Sequence, residues 1–470
     1  MMLILIYAFD ERSLHASRQL EESRDDANKY LRFPFKLLSL FFVLQSRKGY
    51  FVKGIIEKYN SVSLVLRIVI GLVIGAVLAL IIPSDGSLVP AVITLLGTLF
   101  VNALKAVAPI LVFFLIISAL CNAEAPGSMK TIIILYIVST FVAALVAVIG
   151  SYLFPMELTL AAADDITQSS PSGIGEVLNT LLMNIVANPV AAIVNANYIG
   201  ILVWAAMLGV ALRAASDTTK NVFANVSDAI ATIVRWIISL APFGILGLVY
   251  DAVATNGMEI FIEYGQLILL LVVCMFFIAL VANPILVFIL TRKNPYPLVL
   301  RCLRDSGITA FFTRSSAANI PVNMELCEDL GLDKNLYSVS IPLGATINMA
   351  GAAVTITVMA MQAANTVGLT VDIPTAVILS ALAAVSACGA SGVPGGSLLL
   401  IPLACSLFGI PNDVAMQVVA IGFIIGVIQD SCETALNSSS DAVFTATAEY
   451  RTWIKKGRDF VMGKNNTPMA

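Results

Sequence analysis

Histidine is nearly absent: in 470 residues only His15 occurs, outside the apolar part of the chain. Histidine proton relays, zinc sites and Ser-His triads are therefore excluded from the hydrophobic region. Charge is scarce as well. Asp, Glu, Lys and Arg make up 12% of the sequence, about half the share of an ordinary soluble protein. The seven cysteines are scattered without a C-x-x-C pair and read as small apolar packing residues. What the chain has in abundance is hydrophobicity, at 59% of residues and a mean hydropathy of +0.92. It reads as an all-α polytopic membrane protein.

Residues 1–55 differ from the rest and form an atypical N-terminal extension. Their opening apolar run is too short to span, lacks a basic start and meets Asp10 and Glu11, so a signal peptide is not expected there. A membrane domain over 56–450 and a cytoplasmic C-terminal tail over 451–470 are expected. With about 20 residues needed per crossing, eight spans are expected near 62–82, 90–120, 130–155, 180–212, 226–255, 264–291, 336–363 and 413–447. Two apolar segments near 297–330 and 373–409 are broken by Pro, Gly and Ser. The connections 83–89, 156–179, 250–263 and 364–374 hold no Lys or Arg, whereas the opposite ends hold Lys53, Lys130, Arg213, Arg292, Arg301, Lys334 and Arg451. By the positive-inside rule both termini are cytoplasmic, and each broken segment returns to the side it entered. Arg67, Lys105 and Arg235 are expected to snorkel or to contact neighbouring helices.

Each broken segment carries small residues ending in a β-branched residue and proline, Ser316-Ala317-Ala318-Asn319-Ile320-Pro321 and Gly389-Ala390-Ser391-Gly392-Val393-Pro394. Proline suits the first turn of a helix, so each reads as helix, tip, helix: a re-entrant hairpin. The alternative is a pair of proline-kinked helices. Broken segments in two corresponding positions point to a transporter binding site, and helix N-termini after the prolines suit an anion. A third piece, 341–352, places Thr346, Asn348, Gly344 and Gly351 inside an apolar span. Unwinding there exposes carbonyl oxygens, which a hard cation such as sodium prefers.

The last span contains Asp430, Thr434, Asn437 and Asp441 at spacings of 4, 3 and 4, one polar stripe with Glu433 on its edge. Acids at the centre of a membrane helix cost roughly 2.5–3.5 kcal/mol each, against about 0.3–0.6 kcal/mol gained per Leu, Ile, Phe or Val. The stripe has to face protein, water or a bound ion.

Thr313-Arg314-Ser315-Ser316, the run Pro342-Leu343-Gly344-Ala345-Thr346-Ile347-Asn348-Met349, and Gly392-Val393-Pro394-Gly395 resemble the motifs of the sodium:dicarboxylate and amino-acid symporters, the glutamate-transporter family. The likeness covers about residues 60–450 and is greatest to the bacterial serine–threonine branch. It implies a homotrimer in the lipid bilayer of the bacterial inner membrane, with a fixed scaffold and a transport domain that slides like an elevator. It implies no nucleic-acid partner and no enzyme activity. Asp430 would hold the substrate ammonium and Asn437 its carboxylate, with Thr434, Ser315, Ser316 and Val393 completing the pocket. One sodium ion would use carbonyls of Gly344, Asn348 and Asn437 with the Asp441 side chain. A second would use Thr346 and carbonyls of Ala387, Cys388 and Ala390.

Two positions depart from the family pattern. Glu433 stands where members that carry acidic substrates have Arg, and a glutamate there would repel a substrate carboxylate. We expect Glu433 to pair with Arg314, leaving a small neutral pocket for serine or threonine. Ala350 stands where the family motif has Asp, a ligand of a third sodium site whose other ligands would match Tyr136, Ser139 and Thr140, so fewer coupled ions are expected. A channel, an intramembrane hydrolase and a carrier of cationic substrates are the competing readings.

Overall fold

The computed structural model describes residues 61–83, 87–121, 129–160, 182–183, 186–389 and 395–466. The extension 1–55 lies outside them, as does the second-hairpin tip 390–394 with Ala390 and Val393. The chain divides into two units, Met1–Leu64 and Val65–Ala470, and the second carries the architecture.

Among the described residues every regular element is helical. The first part contains α1 (Leu64–Ile81), α2 (Leu88–Cys121) and α3 (Met129–Leu153), then the short α4 (Pro189–Val194) and α5 (Tyr198–Ala211). It continues with α6 (Asp217–Ser239), α7 (Ala241–Asn256) and α8 (Ile260–Thr291). Next come α9 (Tyr296–Cys302), α10 (Ile308–Thr313), α11 (Ile320–Asp329), α12 (Lys334–Ile347) and α13 (Ala350–Thr366). The chain closes with α14 (Ile373–Ala387), α15 (Ile401–Ser406) and α16 (Asn412–Lys455). Among the described residues, six stretches are long and apolar enough to cross a membrane: Leu88–Ser118, Met129–Leu153, Asp217–Ser239, Ile260–Thr291, Lys334–Thr366 and Asn412–Lys455.

Two expected spans differ from the structure. The region 180–212 includes two short helices, because Asn188 accepts from the amides of Val190 and Ala191, and Asn197 accepts from that of Gly200. Each asparagine starts a new helix. The region 226–255 holds the end of α6 and most of α7, which meet at Leu240 with Pro242 in the first turn of the second helix. Within α8, Pro284 withholds a backbone donor, and a wide turn over Ile278–Ala282 absorbs the irregularity.

The segment 297–330 does turn back on itself. The Arg301 guanidinium, near its start, lies 3.1 Å from the Asp329 carboxylate at its end. Arg314 takes the left-handed conformation that stops α10 (φ 51°), the tip follows, and Pro321 sits in the first turn of α11. The base of this hairpin is tied to the chain beyond α16. Arg301 also donates to Gly463 O and Asn465 Oδ1, and Asn466 Nδ2 donates to Leu330 O. Trp453 is fully buried there among Tyr450 and Phe460.

Packing gathers the helices into two sets. In one, α2 lies against α5, α6 and α7, and α1 crosses α7 so closely that a Cβ on Gly75 would sit 2.5 Å from Leu246 O. In the other, α3 packs on α13 and α14, while α16 touches α8, α10, α11, α12, α13 and α15 and makes smaller contacts with α2 and α7 of the first set. Both α13 and α16 are enclosed by protein over most of their length. That enclosure removes the lipid contact that the acids of α16 could not tolerate.

Candidate functional site

The site forms where the break between α12 and α13, the tip of the first hairpin and the middle of α16 converge. Asn348 (φ −90°, ψ 84°) and Met349 (φ −120°, ψ 44°) leave helical geometry, so the unwinding expected at this stretch is present. From the break, the Asn348 side-chain amide donates to Asn437 O at 3.0 Å, Ser440 Oγ at 2.7 Å and Asp441 Oδ1 at 2.9 Å. Two buried oxygens remain without a partner, Asp441 Oδ2 and Asn348 Oδ1. Gly344 is close by: a Cβ there would meet Asp441 Oδ1 at 2.5 Å and Tyr136 Oη at 2.7 Å. A carboxylate oxygen and an amide oxygen, both without a hydrogen bond, are the type of donor a hard cation prefers. Among the described residues no cluster of His, Cys, Asp and Glu could hold a transition metal.

About three helical turns earlier on α16, Arg314 reaches across to Asp430 from the segment that follows α10. Its Nη2 lies 2.6 Å and its Nε 2.8 Å from Asp430 Oδ2, and both residues are largely buried. The Gly395 backbone hydrogen-bonds to the same carboxyl group. This corrects the expected pairing of Arg314 with Glu433. Asp430 and Glu433 are three residues apart, so they lie about 60° apart around the helix, and the tip faces Asp430.

Glu433 is held by neutral donors instead. Its Oε2 accepts from Thr355 Oγ1 at 2.9 Å, Ser397 Oγ at 2.8 Å and Gln429 Nε2 at 2.5 Å. Gln429, one turn before Glu433 on the same helix, was legible as a neighbour. Thr355 and Ser397 belong to other elements, and no local spacing connects them to it.

The remaining candidates fall as follows. Asn437 Oδ1 accepts from Gly351 N at 2.7 Å, while its Nδ2 has the Met349 sulfur as a weak acceptor at 3.5 Å. Thr434 donates to Asp430 O. Ser315 Oγ accepts from the Ala318 amide and the Ser316 carbonyl from the Asn319 amide, so both shape the tip. Thr346 is exposed and its hydroxyl turns to Leu343 O. Ala387 is buried, and Cys388 Sγ lies 3.4 Å from Ile347 O, which brings the end of α14 beside the break. Of the residues resembling a third ion site, Ser139 donates to Asn283 Oδ1 and Thr140 to Tyr136 O. Ala350 brings no carboxylate.

Residues 64–450 match the family described as the sodium:dicarboxylate symporter family. The chain belongs to this family. It is therefore a multi-pass membrane carrier rather than an enzyme. A serine/threonine transporter SstT of Bifidobacterium adolescentis is 58% identical over 412 residues, covering 87% of this chain and 94% of that protein. Proteins of the same description from Streptococcus agalactiae and Streptococcus thermophilus are 59% and 58% identical, each covering 86% of this chain and 100% of its relative.

The geometry around Asp441 yields a measurable expectation. Asn348→Ala removes a donor from a buried carboxylate and should lower stability by about 1–3 kcal/mol. If sodium binds at this carboxylate, the rise in melting temperature on adding sodium should be smaller in the variant than in the parent protein. A variant that melts like the parent, with and without sodium, would show that this amide is dispensable.

Proposed function

We propose that this chain is a sodium-coupled symporter that carries small neutral amino acids, serine and threonine foremost, inward across the bacterial inner membrane. The observation that carries the reading is the Asp441 carboxylate: it is buried beside a broken helix with one oxygen unpartnered. A bare buried anion is costly, and a captured cation offsets that cost. The names of the relatives supply the substrate class.

In this reading one sodium ion binds between carbonyls of Gly344, Asn348 and Asn437 and the Asp441 side chain. A second binds between Thr346 and the carbonyls of Ala387, Cys388 and Ala390, once the Thr346 hydroxyl turns from Leu343 O. Asp430 receives the substrate ammonium in place of part of its contact with Arg314. The Asn437 amide, poorly satisfied by sulfur, takes the carboxylate, and Thr434, Ser315, Ser316 and Val393 close the pocket. Glu433 Oε1 accepts the hydroxyl of serine or threonine. Sodium orders the break and the second hairpin, so each ligand raises the affinity for the other by the same factor.

The architecture proposed with it has eight crossings, two re-entrant hairpins at 297–330 and 373–409, cytoplasmic termini, a tail over 451–470 and a trimeric assembly. The set centred on α2 is the scaffold and the set centred on α16 moves past it. The partition of packing contacts supports this division, as does the return of the first hairpin to its own base.

Three outcomes test the reading. Proteoliposomes with an imposed inward sodium gradient should accumulate labelled serine and threonine, and Asp430→Asn should reduce uptake by about a hundredfold or more, as expected when a buried charge loses its partner. Unchanged uptake would move the pocket elsewhere. Glu433→Ala should erase the preference for serine over alanine by about tenfold or more, since a site built to bond a hydroxyl rejects the analogue lacking it. An unaltered ratio would remove Glu433 from substrate contact. With Ala350 and the committed hydroxyls of Ser139 and Thr140, fewer than three sodium ions should accompany each amino acid. A flux ratio of three would contradict that.

A further inference from the structure

Lys105 is the one charged residue in the 34-residue helix α2, and it lies at the middle of that helix. A lysine so placed needs an anionic partner or a path to water. Its partner is Asp413, in the first turn of α16, which belongs to the other packing set. Apolar contacts also cross this boundary. Phe100 meets Phe423 edge-on at 5.3 Å, and Gly389, Gly396 and Leu399 face Leu111, Val112 and Leu115 across a narrow cleft. Contacts of that kind re-form after a shift of one helical turn, because dispersion is non-directional. An ion pair between two fixed positions does not.

We propose that the Lys105–Asp413 pair is a latch belonging to one end state of the transport cycle. It holds the α16 set at a single register against α2 and has to open before that set can move. The proposal rests on the transport reading given above. Both side chains are reachable, at 38% and 77% exposure, so the latch is weak and reversible, which suits a pair that breaks in every turnover.

A carbodiimide that joins amines to carboxylates in contact tests it on the unaltered protein, with serine and sodium present to shield the site. Peptide mapping should find a Lys105–Asp413 amide. The linked carriers should bind serine in sodium within twofold of untreated protein while exchanging it across proteoliposomes at least about tenfold more slowly. A D413N sample treated in parallel should keep its exchange. Linked carriers that exchange at the untreated rate would overturn the latch. As a second arm, K105Q and D413N should each change the exchange rate by about two- to fivefold, the range of an exposed pair. The reversed pair K105D/D413K should restore it within twofold at an unchanged melting temperature. A reversed pair as altered as the single variants also overturns the proposal. If untreated protein binds no serine in sodium, the transport reading falls instead.

Discussion

A carboxylate enclosed by protein must be met by donors or by a cation, and three such groups lie within four turns of α16. They are satisfied in three different ways. Asp430 takes a guanidinium, Glu433 takes two hydroxyls and an amide on one oxygen, and Asp441 takes a single amide and keeps one oxygen bare. The rest of the molecule follows from supplying those partners. The helix must be wrapped by protein, the first hairpin must bring its tip to Asp430, and α12 must unwind beside Asp441 so that Asn348 can reach it. Each irregular piece of backbone is tolerated because it lies against this helix rather than lipid.

The arrangement separates charges by role. A guanidinium on Asp430 leaves the protein close to neutral at that point. Glu433, lacking a cation, presents acceptor character to the pocket and no positive charge for a second carboxylate. A protein that needed to hold a dicarboxylate would require the reverse. The chain thus belongs to the family while carrying a glutamate at 433, the position proposed to face a substrate side chain.

Much of this was legible locally. The stripe Asp430, Thr434, Asn437 and Asp441 follows from helical periodicity. The break at Asn348 follows from polar and glycine residues inside an apolar run, and the first-hairpin turn from Ile320-Pro321. The short helices around Asn188 and Asn197 were not anticipated, because hydropathy averages over the asparagines that cap them. The division at Leu240 was hidden in the same way. Lys105, expected to snorkel or to contact a neighbouring helix, pairs with an aspartate more than 300 residues further along.

The wrong pairing of Arg314 shows where sequence reading stops. Opposite unmatched charges can be counted in a sequence, and both acids were visible within reach of a facing tip. Choosing between Asp430 and Glu433 depends on the rotation of α16 relative to that tip, which packing of several helices sets together. The sequence by itself determined the membrane class and the set of residues that must be shielded from lipid, because these rest on composition and on periods of a few residues. Tertiary structure alone decided which donor meets which carboxylate, and that Thr355 and Ser397 serve Glu433. A hydrogen bond is fixed by distance and angle between atoms, and between separate helices neither is encoded in local spacing.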